Sequence, residues 1–169
     1  MTYLVLFSVA LSVLNLLLLL GVLARLRGQA KAAPPQGRLP APVLPPGAAP
    51  ADFTATTVDG RHVDRGDARL VAFLSPACSL CHDRLPALLD YAGRAGQEPL
   101  AVLAGTPEEV RELAAEVGPS ARVVVEEPEG TLWRAFGVRG LPAFYLLDEQ
   151  GTIRASGVDL DGFPAPELV

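Results

Sequence analysis

The residues with the most reactive chemistry are Cys78 and Cys81, which stand in the pentapeptide Cys78-Ser79-Leu80-Cys81-His82. They are the two cysteines of this sequence, so its thiol chemistry takes place here. A Cys-x-x-Cys pair can form and break a disulfide, whereas Cys-x-x-Cys-His is also the attachment motif for c-type haem. The motif alone therefore allows two kinds of redox chemistry, one at a disulfide and one at a haem.

A strand and a helix are predicted to position the pair. Residues 70–74 form a continuous apolar run that is typical of a strand buried on both faces. After Cys81, apolar residues recur at helical spacing as far as residues 93–96, with Pro86 inside the pattern. Cys78 then lies at a helix start, where free N–H groups and the helix dipole stabilise a thiolate. Cys81 lies one turn further, so we predict that Cys78 attacks a partner and Cys81 resolves the mixed disulfide.

Three other uses of the motif were weighed. A purely structural disulfide between adjacent turns would close almost no loop and would add little stability. In a c-type haem site His82 would be the proximal ligand, but Met1 is the single methionine and His62 the single other imidazole. Two cysteines and two histidines at these spacings match no common zinc site. Thiol exchange is therefore favoured, no metal is predicted, and haem-based electron transfer stays the alternative.

The remaining pattern predicts an α/β fold with a mixed central sheet and flanking helices. A hairpin is expected over 52–63, around Asp59-Gly60. Thr106 and Glu109 form a capping box with Pro107 between them, which predicts a helix opening at Thr106. The other predicted strands are 100–104, 122–125, 143–147 and 152–156, and the other predicted helix is 131–136.

The N-terminal residues predict a membrane anchor. Residues 3–24 carry no charge and would reach about 33 Å as a helix, enough to cross a hydrocarbon core of about 30 Å. A cleaved signal peptide is the alternative. We therefore divide the chain into an anchor with a basic flank (1–27), a Pro/Ala-rich linker (28–51) and a globular domain (52–169).

Charge bears on partners and on orientation. All 19 acidic residues but only 10 of the 14 basic ones lie beyond residue 40, which gives that part a net charge of 10 − 19 = −9. Such an acidic domain offers no footprint for nucleic acid. The other four basic residues follow the predicted span, and by the positive-inside rule they favour a cytoplasmic C-terminal side.

Several of these features occur together in one family. Residues 73–81 (FLSPACSLC), Pro86 five residues after Cys81, the opening hairpin and residues 136–142 (FGVRGLP) resemble the thioredoxin-like proteins. The resemblance covers residues 50–157. It is closest to the membrane-anchored TlpA/ResA branch and to the methylamine-utilisation MauD proteins, and it implies a thioredoxin-like fold.

The resemblance also implies a function. The chain would be a membrane-anchored thiol–disulfide oxidoreductase that acts on protein thiols and disulfides through a redox disulfide between Cys78 and Cys81, without a bound cofactor. Pro142 would be cis beside Cys78, and the backbone of Leu141 would bind the substrate. The domain would lie outside the cytoplasm, against the positive-inside count, and a membrane redox partner would recharge the pair. A MauD-like role in maturing a disulfide-rich partner is the narrower alternative.

Three positions depart from the family pattern. Ala72 stands where thioredoxins carry a buried aspartate, Arg84 where ResA-like proteins carry a glutamate, and Ala77 where a tryptophan usually precedes the first cysteine. These departures bear on proton transfer and on redox potential. The direction of electron flow therefore does not follow from the resemblance.

Overall fold

The computed structural model describes residue 7 and residues 43–165 of the 169-residue chain. Seven strands and three helices occur within residues 43–165. The strands are β1 (Thr54–Thr56), β2 (His62–Asp64), β3 (Leu70–Leu74), β4 (Leu100–Ala104), β5 (Arg122–Glu126), β6 (Ala143–Leu147) and β7 (Ile153–Gly157). The helices are α1 (Ser79–Ala95), α2 (Arg111–Val117) and α3 (Thr131–Ala135).

The central sheet has the order β5-β4-β3-β6-β7. Strands β3, β4 and β5 run parallel, while β6 and β7 are antiparallel to their neighbours. All five residues of β3 and all five of β4 are buried, as expected of strands covered on both faces. Strands β1 and β2 form a separate hairpin. The predicted mixed α/β sheet is confirmed.

Each face of the sheet carries its own core cluster. Alternate residues of β3 point to opposite sides, so Ala72 and Leu74 join the cluster under α1 and α2, while Phe73 joins the cluster under α3 and the hairpin. An aromatic group fills the second cluster, with ring centroids 5.0–6.1 Å apart. It consists of Phe53, Phe73, Trp133, Phe136 and Tyr145.

The helix predicted to open at Thr106 begins later, at Arg111. The capping box itself forms: the Thr106 N–H donates to Glu109 Oε2 at 2.8 Å, and the Glu109 N–H donates to Thr106 Oγ1 at 3.4 Å. It closes a single turn, because Val110 has ψ near 0° (φ −87°, ψ −1°) and regular helix geometry starts only after it. The expected start was therefore wrong by about one turn.

Residues 43–51, which the sequence placed in the linker, lie on the domain. The Gly47 N–H donates to Ile153 O at 2.8 Å, and the Ile153 N–H donates to Ala48 O at 2.9 Å, so this segment pairs with the outer edge of β7. Ser156 Oγ donates to Leu44 O at 2.6 Å. We call residues 43–48 the edge segment.

The ends of the chain bear on the predicted anchor and on a terminal helix. The predicted span, residues 3–24, falls outside the described residues. Among those that are described, no helix combines the length and the apolar character that crossing a membrane requires. Up to residue 165 no helix follows β7. Instead the Phe163 ring packs edge-on against Tyr91 at 6.1 Å, and Tyr91 donates to Pro164 O at 2.9 Å.

Candidate active site

The cysteine pair lies where the central strand meets the first helix. β3 ends at Leu74, and Cys78 is the N-cap residue of α1, with extended backbone angles (φ −103°, ψ 102°). Its sulfur accepts a hydrogen bond from the Cys81 N–H at 3.2 Å. Unpaired N–H groups at a helix start favour a negative charge, so a Cys78 thiolate would be stabilised at this position.

The two sulfurs form a disulfide but differ in exposure. The Cα atoms of Cys78 and Cys81 are 5.3 Å apart. Cys78 is half-buried, whereas Cys81 is only 1% exposed and packs within the cluster under α1. A partner can therefore approach Cys78, while Cys81 is shielded from everything except Cys78. This matches the predicted roles of attacking and resolving cysteine.

The loop before β6 lies at the same end of the sheet. Phe73 pairs with Ala143, so continuing the antiparallel register puts Pro142 opposite Leu74, where β3 runs out toward Cys78. The peptide bond from Leu141 to Pro142 is cis, as the resemblance implied. The register thus brings the four sequence-predicted site residues, Cys78, Cys81, Leu141 and Pro142, to one end of the molecule.

Leu141 has a free backbone. Within residues 43–165 its N–H and its carbonyl take part in no hydrogen bond. Its half-buried side chain packs against both core clusters, which fixes the backbone position. A fixed, unpaired peptide group is suited to bind an extended segment of a partner through main-chain hydrogen bonds.

The surface between and beside the cysteines is partly apolar. Leu80 is 41% exposed, although most large apolar side chains of the domain are buried. His82 is exposed as well, and its Nε2 lies 3.0 Å from Pro76 O. Because a carbonyl oxygen only accepts, the ring nitrogen donates, so His82 ties the helix start to the preceding loop. A single sequence carries no signal for this contact.

No carboxylate lies under the pair in the described core. Ala72 is fully buried and apolar, and Thr57 is the single buried polar residue among those described. Thr57 serves the hairpin turn, where its Oγ1 donates to Asp59 and to Arg61 O. A proton leaving or reaching Cys81 must therefore pass through the partner or through water.

The site does not fit a covalently attached haem. Thioether bonds to both cysteines would require both sulfurs to reach the macrocycle, but Cys81 is buried against Leu85 and Leu88 on the core side of α1. His82 lies on the exposed side of the same helix. The cysteines and the histidine thus face different ways. Within residues 43–165, no three His, Cys, Asp or Glu side chains group in a way that could hold a metal ion.

Solved structures share this architecture. A disulfide oxidoreductase secreted by Mycobacterium tuberculosis is 19% identical and covers 69% of this chain and 87% of its own, with a TM-score of 0.54. The thioredoxin domain of a Bacteroides vulgatus thiol-disulfide oxidoreductase is 21% identical, covers 67% and 88%, and gives 0.57. A thio-disulfide isomerase of Thermus thermophilus is 20% identical, covers 67% and 85%, and gives 0.55.

This is a thioredoxin-like domain. The order of its strands, the cysteine pair at the start of α1 and the cis Leu141-Pro142 bond together make up that fold. The fold expected from the sequence is confirmed.

Among curated proteins, the chain is similar to the methylamine utilization protein MauD of Methylobacillus flagellatus. The two are 30% identical over 112 residues, which are 63% of this chain and 54% of that protein. The chain thus matches about half the length of this relative. The MauD resemblance noted in the motif is confirmed, while no family model matches the sequence.

Proposed function

We propose that this thioredoxin-like domain is a thiol–disulfide oxidoreductase that exchanges disulfides with protein partners. One observation carries the proposal: a reachable Cys78 and a buried Cys81 share a disulfide at the start of α1, beside the unpaired backbone of Leu141. The neighbours in fold and the MauD relative support it.

The exchange proceeds in two balanced steps. In one direction, the Cys78 thiolate attacks one sulfur of a partner's disulfide, and the partner's other sulfur leaves as a thiolate and takes up a proton. Cys81 then loses its proton and attacks the Cys78 sulfur. This releases the second partner thiol and restores the Cys78–Cys81 disulfide. The partner gains two electrons and the pair loses them; the reverse sequence oxidises a partner dithiol.

The chemistry needs the two sulfurs and no further group, so we propose that the domain works without a bound cofactor. This sequence holds no third cysteine, which means that the pair has no internal relay. A separate redox protein must therefore recharge it after each turnover. We place that recharging partner in the membrane, beside the anchor predicted at residues 3–24.

A transfer experiment tests the proposal. The purified, oxidised full chain is mixed with a peptide that carries two free thiols, and the products are counted by mass spectrometry. We expect one peptide disulfide for each protein molecule reduced, and repeated turnover when oxidised glutathione is added. Cys78→Ser should abolish the transfer. If the wild-type protein transferred no oxidising equivalents in either direction, or if Cys78→Ser were fully active, the proposal would be wrong.

The MauD relative favours a narrower role as a second candidate. In this role the domain would help a disulfide-rich partner to reach its native pairing. The discriminating assay starts from a multi-disulfide protein with scrambled bonds and measures recovery of its native pairing. Recovery that depends on Cys78 would favour the maturation role, whereas simple reduction of every bond would favour a general reductase.

We propose that the domain lies on the outer side of a cell membrane, held by residues 1–27. Disulfide exchange with proteins is typical of oxidising compartments, and this supports the placement. A tag at the C-terminus, probed with a membrane-impermeant reagent in intact cells, tests it. Labelling in intact cells is expected, while labelling only after lysis would place the domain in the cytoplasm.

A further inference from the structure

The charge near the cysteine pair changes with its redox state. The disulfide is neutral, whereas the reduced pair carries a negative charge whenever one thiol is ionised. A cation beside the pair therefore stabilises the reduced form and raises the reduction potential. The core under the pair offers no charged group, because Thr57 is the single buried polar residue among those described. Any strong electrostatic control must come from the rim of α1.

The charged and titratable residues of the neighbouring segments are His82 and Asp83 on α1, and Arg139 in the loop before Pro142. All three are exposed, so water and salt screen their effect on the sulfurs. Arg84 differs from them because it is half-buried. Its charge is consequently less screened than theirs.

Arg84 lies three residues after Cys81, which puts the two side chains on neighbouring turns of α1. A long side chain on a helix leans toward the helix N-terminus and covers the preceding turn, here the turn that carries Leu80 and Cys81. The Arg84 Nε atom is buried, so the base of the guanidinium lies against protein rather than in water.

The same guanidinium has no compensating partner in the described structure. Within residues 43–165 its Nε makes no hydrogen bond, and no carboxylate lies within 4.0 Å of it. A half-buried cation without a partner is costly and favours any nearby negative charge. Reduction of the disulfide supplies such a charge on the adjacent turn.

We propose that Arg84 is a positioning residue for the redox reaction, one that stabilises the reduced, ionised cysteine pair and makes the disulfide more oxidising. This inference rests on the proposed exchange function. It assigns to one residue a part of the redox poise that the two cysteines alone do not determine.

The test is the equilibrium of the full chain with glutathione, in which the Cys78–Cys81 disulfide and two glutathione thiols exchange for the dithiol and one oxidised glutathione. Arg84→Gln removes the charge and keeps much of the side chain. We expect its equilibrium constant for reduction to fall about tenfold, which corresponds to about 30 mV. The pKa of the Cys78 thiol, followed by alkylation rate against pH, should rise.

Two further variants separate charge from structure. Arg84→Lys keeps the charge and should keep the wild-type equilibrium within about twofold. Arg94→Gln removes an exposed arginine from the same helix, one that pairs with Asp90 at 3.0 Å, and it should leave the equilibrium unchanged. If Arg84→Gln weakened the fold, Arg84→His would serve, with an equilibrium near the wild-type value at pH 5.5 and shifted at pH 8.

The outcomes are distinct. An Arg84→Gln protein with the wild-type equilibrium and thiol pKa would overturn the role of Arg84 while leaving the exchange function standing. Equal shifts in Arg84→Gln and Arg94→Gln would also overturn it, since they would reflect net charge alone. Failure of the exchange function would show differently, as a wild-type disulfide that does not equilibrate with glutathione.

Discussion

Cys78 and Cys81 have the same side chain, and their surroundings make them different. The sulfur of Cys78 accepts a backbone N–H at a helix start and is half exposed, so it is both stabilised as a thiolate and reachable. Cys81 points into the core at 1% exposure. The order of attack therefore follows from burial and hydrogen bonding.

Tyr145 ties the core to the loop that leads to the site. It is fully buried, its hydroxyl donates to Phe136 O at 2.9 Å, and burial raises the pKa of that hydroxyl. We expect Tyr145→Phe to lower the free energy of unfolding by about 1–3 kcal/mol, because the Phe136 carbonyl loses a buried partner. Denaturant unfolding measures the loss. A change below about 0.3 kcal/mol would mean that water or another group replaces the hydroxyl.

Part of the site could be predicted at this scale and part could not. The spacing of the two cysteines after an apolar run was enough to place Cys78 at a helix start. The contact from His82 to Pro76 O and the isolation of the Arg84 Nε depend on side-chain orientation, which spacing does not specify.

Helix α3 is held by a residue from another element. Gly130, its N-cap residue, has no side chain to accept a hydrogen bond, and the Glu126 carboxylate at the end of β5 does so instead. Its oxygens accept the Leu132 N–H at 3.2 Å and the Trp133 N–H at 3.0 Å. A Cβ atom at position 130 would lie 2.6 Å from the Glu126 carboxylate, so this close approach requires glycine.

Removing this cap should weaken α3. We expect Glu126→Ala to cost about 1 kcal/mol of unfolding free energy, the usual size of a lost N-cap. Gly130→Ala should cost a similar amount by displacing the same carboxylate. Glu127→Ala, at the exposed neighbouring position, is the matched control and should have little effect. If Glu126→Ala and Glu127→Ala behaved alike, Glu126 would not act as the cap.

The capping box before α2 predicts a pH dependence. Hydrogen bonds from Thr106 lower the pKa of the Glu109 carboxyl below its ordinary value of about 4.3. A carboxyl with a lowered folded-state pKa adds stability above its unfolded pKa and loses it as the pH falls through the folded value. Glu109→Gln should therefore lower the unfolding midpoint at pH 7, and the difference from wild type should shrink below about pH 4.

The control for this measurement is Glu108→Gln. Glu108 is exposed and its contact is an ion pair with Arg111 at 3.6 Å, so the change at pH 7 should be smaller. A difference between Glu109→Gln and wild type that persisted unchanged to pH 2 would contradict the assignment.

Elements were predictable where local pattern decides them. The strands, the hairpin and α1 follow from apolar periodicity and turn residues. The start of α2 was missed because a capping box marks a turn without requiring that a helix continue from it. The cap of α3 was not predictable, because Glu126 reaches it from β5 through tertiary structure.

For the molecule as a whole, the edge segment extends the domain beyond its predicted boundary. It covers the outer edge of β7 with main-chain hydrogen bonds, and the Leu44 side chain comes within 3.1 Å of the Cβ position at Gly137, which has φ 58°. Gly137 belongs to the loop that leads to Leu141. The segment thus joins a sheet edge to the site loop, and its Pro- and Ala-rich composition concealed this.

Truncation tests the boundary. A chain that starts at Val43 should keep the unfolding free energy of the full chain's domain. A chain that starts at residue 49 loses the edge segment, and we expect it to be about 2–4 kcal/mol less stable, since roughly three hydrogen bonds and the burial of Val43 and Leu44 disappear. It should also self-associate through the uncovered β7 edge, as measured by light scattering. Equal stability of the two would place the boundary at residue 49 or later.

The central claim is that Cys78 attacks and Cys81 resolves, and single-cysteine proteins test it most directly. Reduced Cys81→Ser and Cys78→Ser full-length chains are each mixed with a cysteine peptide activated as its thionitrobenzoate disulfide. Attack joins the peptide to the protein and releases one coloured thionitrobenzoate anion. The account predicts that Cys81→Ser reacts at least roughly 100-fold faster, because its remaining thiol is exposed and stabilised as a thiolate. Equal rates, or a faster Cys78→Ser protein, would contradict it.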